Sequence, residues 1–152
     1  WSNYKITGTY VNSIVALQDA VAKGADEALI LDNDGYISEG SGENIFFLKD
    51  GLIMTPTTKN CLNGITRQSV IEIAKDLGHK VEEGDWSYEH ILECDEAFFT
   101  GTAVEVTPIT KIDEKIISNG TVGPITKEIQ ANYENAVLGT DNNSRNWLTF
   151  IE

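Results

Sequence analysis

Residues 95–109 read DEAFFTGTAVEVTPI, with two apolar runs on either side of a Gly-Thr pair. The runs at 97–99 and 104–109 predict two buried strands, because short apolar segments bounded by turn residues are typical of strands inside a sheet. Gly101 and Thr102 indicate either a tight turn or bulge, or a place where backbone N–H groups and a hydroxyl are left for a ligand. Taken alone, the pair favours the structural interpretation.

Outward from this stretch, short strands alternate with amphipathic helices. Apolar spacing and capping residues predict helices over residues 11–21, 66–77, 87–93 and 124–139. Further strands are expected at residues 27–31, 36–38, 44–48, 52–54 and 80–86. Thr66 is expected to cap the second helix, and residues 27–54 to form a meander of hairpins. The pattern predicts one α/β or α+β domain over residues 1–152, with helices packed on mixed or antiparallel sheets.

The composition excludes several classes of protein. The chain has 152 residues and a formal net charge of −13, so its surface repels nucleic acid phosphates and anionic membranes. No segment approaches the roughly 20 apolar residues of a membrane span, and the chain start has no signal-peptide pattern. Cys61 and Cys94 lack partners at metal-ligand spacing. We therefore expect a cytoplasmic protein with no nucleic acid, membrane or metal partner.

Gly64-Ile65-Thr66-Arg67 stands at the front of the clearest predicted helix. The first turn of a helix has free N–H groups and a partial positive charge, and a glycine lets an anion approach the backbone closely. The segment is therefore a candidate phosphate cradle. A glycine followed by a threonine cap is common, however, and does not establish the site alone.

Two other segments carry residues that could do chemistry. Lys5 precedes Gly8 and Tyr10, and by itself it reads as a surface lysine. Gly40-Ser41-Gly42 lacks the third glycine of a dinucleotide-binding loop, which excludes a Rossmann interpretation. These glycines leave Glu39 at a flexible strand end, where its carboxylate could be solvated or could face a cation.

The order and spacing of four blocks are more specific than any single block. They are KITGTY at 5–10, YISEGSGEN at 36–44, LNGITR at 62–67 and DEAFFTGTAVEVTP at 95–108. Together they resemble the class IV pyridoxal-phosphate aminotransferases, most closely the branched-chain amino acid aminotransferases. The resemblance runs from Lys5 to about Leu138 and implies the large, C-terminal, cofactor-binding domain of the fold-type IV enzymes.

The resemblance implies a role for three residues around the ring of pyridoxal 5'-phosphate. Lys5 resembles the catalytic lysine that holds the cofactor as a Schiff base, and Tyr10 the tyrosine that hydrogen-bonds its phenolic oxygen. Glu39 resembles the carboxylate that pairs with the pyridine nitrogen. The residue types suit these roles, since the cofactor withdraws electrons while its ring nitrogen is protonated and an ionised carboxylate would hold that proton.

The resemblance also implies how the phosphate and the substrate are bound. Ile65 and Thr66 resemble the phosphate-binding helix start, and Thr102 a further phosphate ligand. Thr102 and Ala103 resemble the backbone that meets the substrate carboxylate.

The implied reaction is transamination of leucine, isoleucine and valine with 2-oxoglutarate, in branched-chain amino acid biosynthesis. Alternatives on the same fold are a D-amino-acid aminotransferase and an aminodeoxychorismate lyase, although the segment 100–103 favours the branched-chain group. The family has a smaller N-terminal domain before the lysine, which supplies an arginine to the phosphate and much of the substrate pocket. We expect that this domain is missing here and that the chain alone is poorly active or an inactive fragment. The resemblance also implies a homodimer or a larger homo-oligomer.

Overall fold

The computed structural model describes residues 4–140 and 147–149. Its helices are α1 (Tyr10–Ala22), α2 (Ile65–Asp76), α3 (Tyr88–Leu92) and α4 (Pro124–Leu138). Its strands are β1 (Ile30–Leu31), β2 (Ile37–Glu39), β3 (Asn44–Lys49), β4 (Leu52–Pro56), β5 (Lys80–Gly84), β6 (Glu96–Gly101), β7 (Glu105–Ile109), β8 (Lys111–Ile112) and β9 (Lys115–Ile116). None of the helices in this part of the chain is long and apolar enough to cross a membrane.

The central sheet has five strands in the order β5-β4-β3-β6-β7. Strands β3 and β4 form a hairpin because Asp50 and Gly51 adopt positive φ angles of 50° and 78° in the turn between them. β6 and β7 pair with antiparallel neighbours, whereas β5 lies parallel to β4 after the crossover through α2. The sheet is therefore mixed, as predicted.

The two faces of this sheet build two apolar clusters. Phe46 and Phe98 lie on the face that packs against α2 and α4, and their rings stack with centroids 5.1 Å apart. Phe47 lies on the opposite face and meets the edge of Trp86 at 6.0 Å. Side chains alternate between faces along a strand, so consecutive phenylalanines in β3 stabilise both sides of the sheet.

A buried carboxylate joins β6 to the start of α4. Glu96 accepts hydrogen bonds from the backbone amides of Ile125 and Thr126 at 3.1 and 2.7 Å, and from the Thr126 hydroxyl at 2.7 Å. These groups belong to the first turn of the helix, whose amides have no intrahelical partner. Glu96 therefore caps the helix from a neighbouring strand and fixes where α4 lies on the sheet.

The bounds of most predicted helices and strands are confirmed to within two residues, but three details are wrong. The strand expected at 27–31 is only Ile30–Leu31, because the pairing with β2 is irregular there. The meander at 27–54 is two hairpins in separate sheets, β1–β2 and β3–β4. Thr66 does not cap α2: the N-cap is Gly64, and the Thr66 hydroxyl lies 3.5 Å from that of Tyr133.

Candidate functional site

Segments that are distant in sequence meet at one end of the central sheet. The first residue of β3, Asn44, pairs with Thr100 near the end of β6. The loop that leads into α2 lies against the side chain of Asn44, and the end of β2 contacts the same loop through Glu39. This end of the sheet therefore gathers residues from all of the predicted blocks after the first.

Glu39 is half-buried and is held by the loop before α2. Its Oε2 accepts a hydrogen bond of 3.0 Å from the backbone amide of Leu62. Burial raises the pKa of the Glu39 carboxyl, while the Leu62 amide and the positive charge of Lys5 act in the opposite direction. Lys5 therefore lies within electrostatic reach of Glu39, although the two residues are far apart in sequence.

The side chain of Asn44 fixes the same loop from the sheet. Asn44 is buried, and its Nδ2 donates to the carbonyl oxygen of Leu62 at 2.7 Å. Its Oδ1 lies 2.4 Å from where a Cβ of Gly64 would be. Such a distance is shorter than real Cβ atoms tolerate, so only glycine fits at position 64 beside Asn44.

The N-terminus of α2 has no side-chain cap. Gly64 is the N-cap residue in an extended conformation, and Ile65 and Thr66 form the first turn. Backbone amides of a first turn that lack a cap are available to an anion. Thr66 is buried with its hydroxyl directed at Tyr133, so what it can offer an anion is its backbone amide.

Thr102 and Ala103 lie in the exposed turn between β6 and β7. The turn begins at Gly101, where an added Cβ would lie 3.6 Å from Cγ of Glu43, so it packs beside the segment that follows Glu39. Beneath it, the Oγ1 of Thr100 is buried and has no hydrogen-bond partner among the described residues. The Gly-Thr pair is thus a hairpin turn, as the simpler interpretation predicts, and it borders the site.

Of the predicted site residues near the start of the described chain, Lys5 and Tyr10, only Lys5 interacts with Glu39, and it does so through its charge. Tyr10 is half-buried at the first position of α1, and Lys5 is exposed just before it. Within the described part of the chain, no hydrogen bond joins Tyr10 to Lys5 or to Glu39. α1 buries none of its residues in this structure, so its apolar spacing predicted the helix but not a packed face.

Sequence reasoning missed Arg67, the largest fully buried side chain. Its guanidinium donates to the carbonyl oxygen of Pro56 at 2.9 Å and pairs with the carboxylate of Glu83. A signal existed, because Arg67 precedes the buried Val70 and Ala74 at helical spacing and so falls within the apolar stripe of α2. The residue joins β4, β5 and α2 behind the loop that carries Leu62.

Glu43 lies directly before Asn44, at the same end of the sheet. Burial is the main cause that raises the pKa of its carboxyl, with the nearby Glu27 and Glu39 charges acting in the same direction. A backbone hydrogen bond from Gly42 partly opposes this shift. The end of the sheet therefore concentrates acidic groups in a partly desolvated place.

Comparisons with known proteins agree with this arrangement. A family model described as class IV amino-transferase matches residues 1–112. The branched-chain-amino-acid aminotransferase of Pseudomonas aeruginosa is 47% identical over 148 residues, which are 97% of this chain and 48% of that protein. A probable branched-chain-amino-acid aminotransferase of Aquifex aeolicus is 47% identical over 150 residues, with the same coverage of 97% and 48%. The chain thus spans about half the length of the curated relatives it matches.

Solved structures share the fold. A T.th. branched-chain amino acid aminotransferase complexed with N-(5'-phosphopyridoxyl)-L-glutamate has a TM-score of 0.96 and 47% identity, over 99% of this chain and 51% of that one. The enzyme from Escherichia coli has a TM-score of 0.93 and 39% identity, over 98% and 51%. The predicted fold class, mixed sheets with packed helices, is confirmed.

Proposed function

The chain belongs to the class IV aminotransferases, and from this membership we propose that it is the cofactor-binding domain of a branched-chain aminotransferase. The proposed reaction transfers the amino group of leucine, isoleucine or valine to 2-oxoglutarate with pyridoxal 5'-phosphate. Relatives at 41–47% identity carry the branched-chain name, which supports this substrate class over the alternatives on the same fold.

The residues present fit pyridoxal 5'-phosphate. Solved structures of the T.th. relative contain pyridoxamine 5'-phosphate or a phosphopyridoxyl group. In this chain the first turn of α2 lacks a side-chain cap, so its backbone amides are available to a phosphate. The buried hydroxyl of Thr100 has no partner among the described residues, as expected where a bound group completes the hydrogen bonds.

Three residues are proposed to act around the cofactor ring. When bound, the cofactor supplies an electron sink that depends on a protonated ring nitrogen. Glu39 would hold that proton: burial raises the pKa of its carboxyl, while the amide of Leu62 and then the charge of Lys5 favour the ionised form. Lys5 would bind the cofactor covalently and carry the proton of the substrate α-carbon, and Tyr10 would donate to the phenolic oxygen.

The phosphate and the substrate carboxylate are proposed to meet two backbone segments. The amides of Ile65 and Thr66 would bind the phosphate, with the hydroxyl of Thr102 as a further ligand. The backbone of Thr102 and Ala103 would meet the carboxylate of the amino acid or 2-oxo acid. Asn44 supports this convergence, because it contacts the loop before α2 and pairs in the sheet with Thr100.

The working protein is proposed to be a cytoplasmic homodimer or larger homo-oligomer. The exposed apolar residues of α1 support an interface there. They are Val11, Ile14, Val15 and Val21. Contiguous exposed apolar surface is typical of interaction sites.

The observation that carries the proposal is the hydrogen bond of Glu39 to Leu62, next to the uncapped start of α2 and within reach of Lys5. The test is an assay of the purified protein with pyridoxal 5'-phosphate and 2-oxoglutarate against L-leucine, L-isoleucine and L-valine. D-Alanine and aminodeoxychorismate serve as comparison substrates. We expect the three L-amino acids to be the preferred substrates, with low turnover by residues 1–152 alone. Preference for either comparison substrate would contradict the proposed reaction, and no turnover with any would indicate an inactive domain.

A further inference from the structure

Leu62 is held on both sides of its Cα by site residues. Its amide donates to Oε2 of Glu39 at 3.0 Å, and its carbonyl oxygen accepts from Nδ2 of Asn44 at 2.7 Å and from the backbone amide of Gly64 at 2.9 Å. The amide and the carbonyl belong to the two rigid peptide planes that meet at the Cα of Leu62, so only rotation about this Cα separates them. The hydrogen bond from Asn44 therefore ties the residue to the sheet and limits where its amide can lie.

The two side chains differ in how firmly their own elements hold them. Asn44 begins the strand β3, which lies at the centre of the five-stranded sheet, and its side chain is buried. Glu39 ends β2, a strand of three residues in a two-stranded sheet. Short two-stranded elements are only marginally stable by themselves. The central sheet is therefore the rigid reference, and Glu39 needs a connection to it.

We propose that Asn44 is a positioning residue: by holding the carbonyl of Leu62, it keeps that residue where its amide reaches the carboxylate of Glu39. The importance of this effect for the reaction rests on the proposed function, in which the carboxylate of Glu39 pairs with the cofactor ring. Asn44 touches neither cofactor nor substrate in this scheme. The space for its side chain comes from Gly64, where a Cβ would lie 2.4 Å from Oδ1 of Asn44.

A simpler role for Asn44 would be to hold the loop without any effect on Glu39. The chain offers a matched control for that possibility in Ser38, a buried residue of β2 whose hydroxyl donates to the carbonyl oxygen of Asn60 at 2.6 Å. Ser38→Ala removes a hydrogen bond to the same loop but leaves both hydrogen bonds of Leu62 in place. The two variants therefore separate a general loosening of the loop from a specific effect on Glu39.

The first experiment follows the carboxyl of Glu39 in the cofactor-free protein by carbon-13 NMR, with Glu39→Gln used to assign the signal. The other titratable groups that act on or near Glu39 are Lys5, Glu43 and Cys61. In Asn44→Ala we expect the pKa of Glu39 to rise above its wild-type value, because the Leu62 amide no longer stabilises the anion. Ser38→Ala should leave it unchanged. An unchanged pKa in Asn44→Ala, or equal shifts in both variants, would overturn the proposal.

The second experiment is a double-mutant cycle on transamination. Asn44→Ala should lower kcat about tenfold, equivalent to about 1.4 kcal/mol of transition-state stabilisation. On a Glu39→Gln background it should cost little more, because residues that act as one unit are not additive. A full additional loss on that background would overturn the proposal. If Asn44→Ala does not fold, Asn44→Ser replaces it. Serine is polar but lacks the side-chain amide that donates to Leu62, so the same results are expected and the same results would overturn the proposal.

The two experiments distinguish this proposal from the proposed function. If Glu39→Gln itself leaves kcat unchanged, the assigned role of Glu39 in the reaction fails. The NMR titration then still decides whether Asn44 acts on Glu39, since it needs no cofactor and no turnover.

Discussion

The side chain of Asn44 occupies the space that a Cβ on Gly64 would need, with Oδ1 2.4 Å from the Cβ position. Asn44 is buried and bonded to Leu62, so it cannot move away without losing that hydrogen bond. The requirement for glycine comes from this contact and not from the backbone angle, because φ of Gly64 is −63°.

We therefore expect Gly64→Ala to lower the free energy of unfolding by about 1–3 kcal/mol, the usual cost of inserting a methyl group into a packed site. Urea unfolding of the cofactor-free protein measures the change. Gly42→Ala is the control, because a Cβ there would meet nothing within 4 Å. Equal stability of the two variants would show that Asn44 does not limit position 64.

Lys5 is expected to be the residue that binds the cofactor covalently. It lies before α1 in the first of the matching blocks, and its charge reaches Glu39. Borohydride reduction of the cofactor-loaded protein, followed by peptide mapping, should attach the cofactor to Lys5. Lys5→Arg keeps the charge and should abolish the label. A label on another lysine would remove Lys5 from this role.

Glu39→Gln is expected to separate cofactor binding from turnover. The amide is nearly the same size as the carboxylate but cannot hold a proton on the ring nitrogen, so the electron sink weakens. We expect kcat to fall on the order of 10²-fold, within the range of positioned proton-transfer groups, while the cofactor affinity measured by absorbance titration changes little. Glu82→Gln, on the exposed surface of β5, is the control. Wild-type turnover in Glu39→Gln would exclude the assigned role.

Glu43 should make the stability of the cofactor-free protein depend on pH. Burial raises the pKa of Glu43 in the folded state, so the folded protein binds this proton more tightly than the unfolded chain does. The contribution of the Glu43 carboxyl to the free energy of unfolding is fully present at a pH below its pKa in the unfolded chain. It is lost as the pH rises through its raised pKa in the folded protein. Glu43→Gln should therefore be more stable relative to wild type at neutral pH than at acidic pH.

Urea unfolding of Glu43→Gln and of the wild type, each at acidic and at neutral pH, measures the effect. The exposed Glu82→Gln should show no such trend. A relative stability of Glu43→Gln that does not change with pH would show that the carboxyl titrates normally in the folded protein.

The cap that Glu96 provides to α4 is expected to dominate the stability of that helix. Glu96→Ala removes an acceptor of three hydrogen bonds and leaves the amides of Ile125 and Thr126 without their partner. We expect a loss of about 3 kcal/mol in unfolding free energy, since charge-assisted bonds contribute about 1.5–3 kcal/mol each and do not add fully. Glu134→Ala, exposed on the same helix, is the control. Comparable losses in both would contradict the capping role.

The sequence alone determined the elements whose causes are local. The helix over Ile65–Asp76 follows from apolar spacing, and the hairpin at Asp50 and Gly51 from residues that tolerate positive φ. The helix between Pro124 and Gly139 was predicted at both ends for the same kind of reason. The four sequence blocks also led to the family, because their order is specific even where each block is weak.

Only the tertiary structure decided how the site is held together. Nothing local indicates that Asn44 reaches the carbonyl of Leu62, that Leu62 donates to Glu39, or that the guanidinium of Arg67 donates to the carbonyl of Pro56. Thr66 illustrates the same limit, since its sequence position suggested a cap and packing turned its hydroxyl towards Tyr133. Periodicity and turn chemistry depend on a few neighbouring residues, whereas these contacts form only after the sheet has brought distant segments to one end. A hydrogen bond across 18 or 23 residues leaves no periodic trace in the chain.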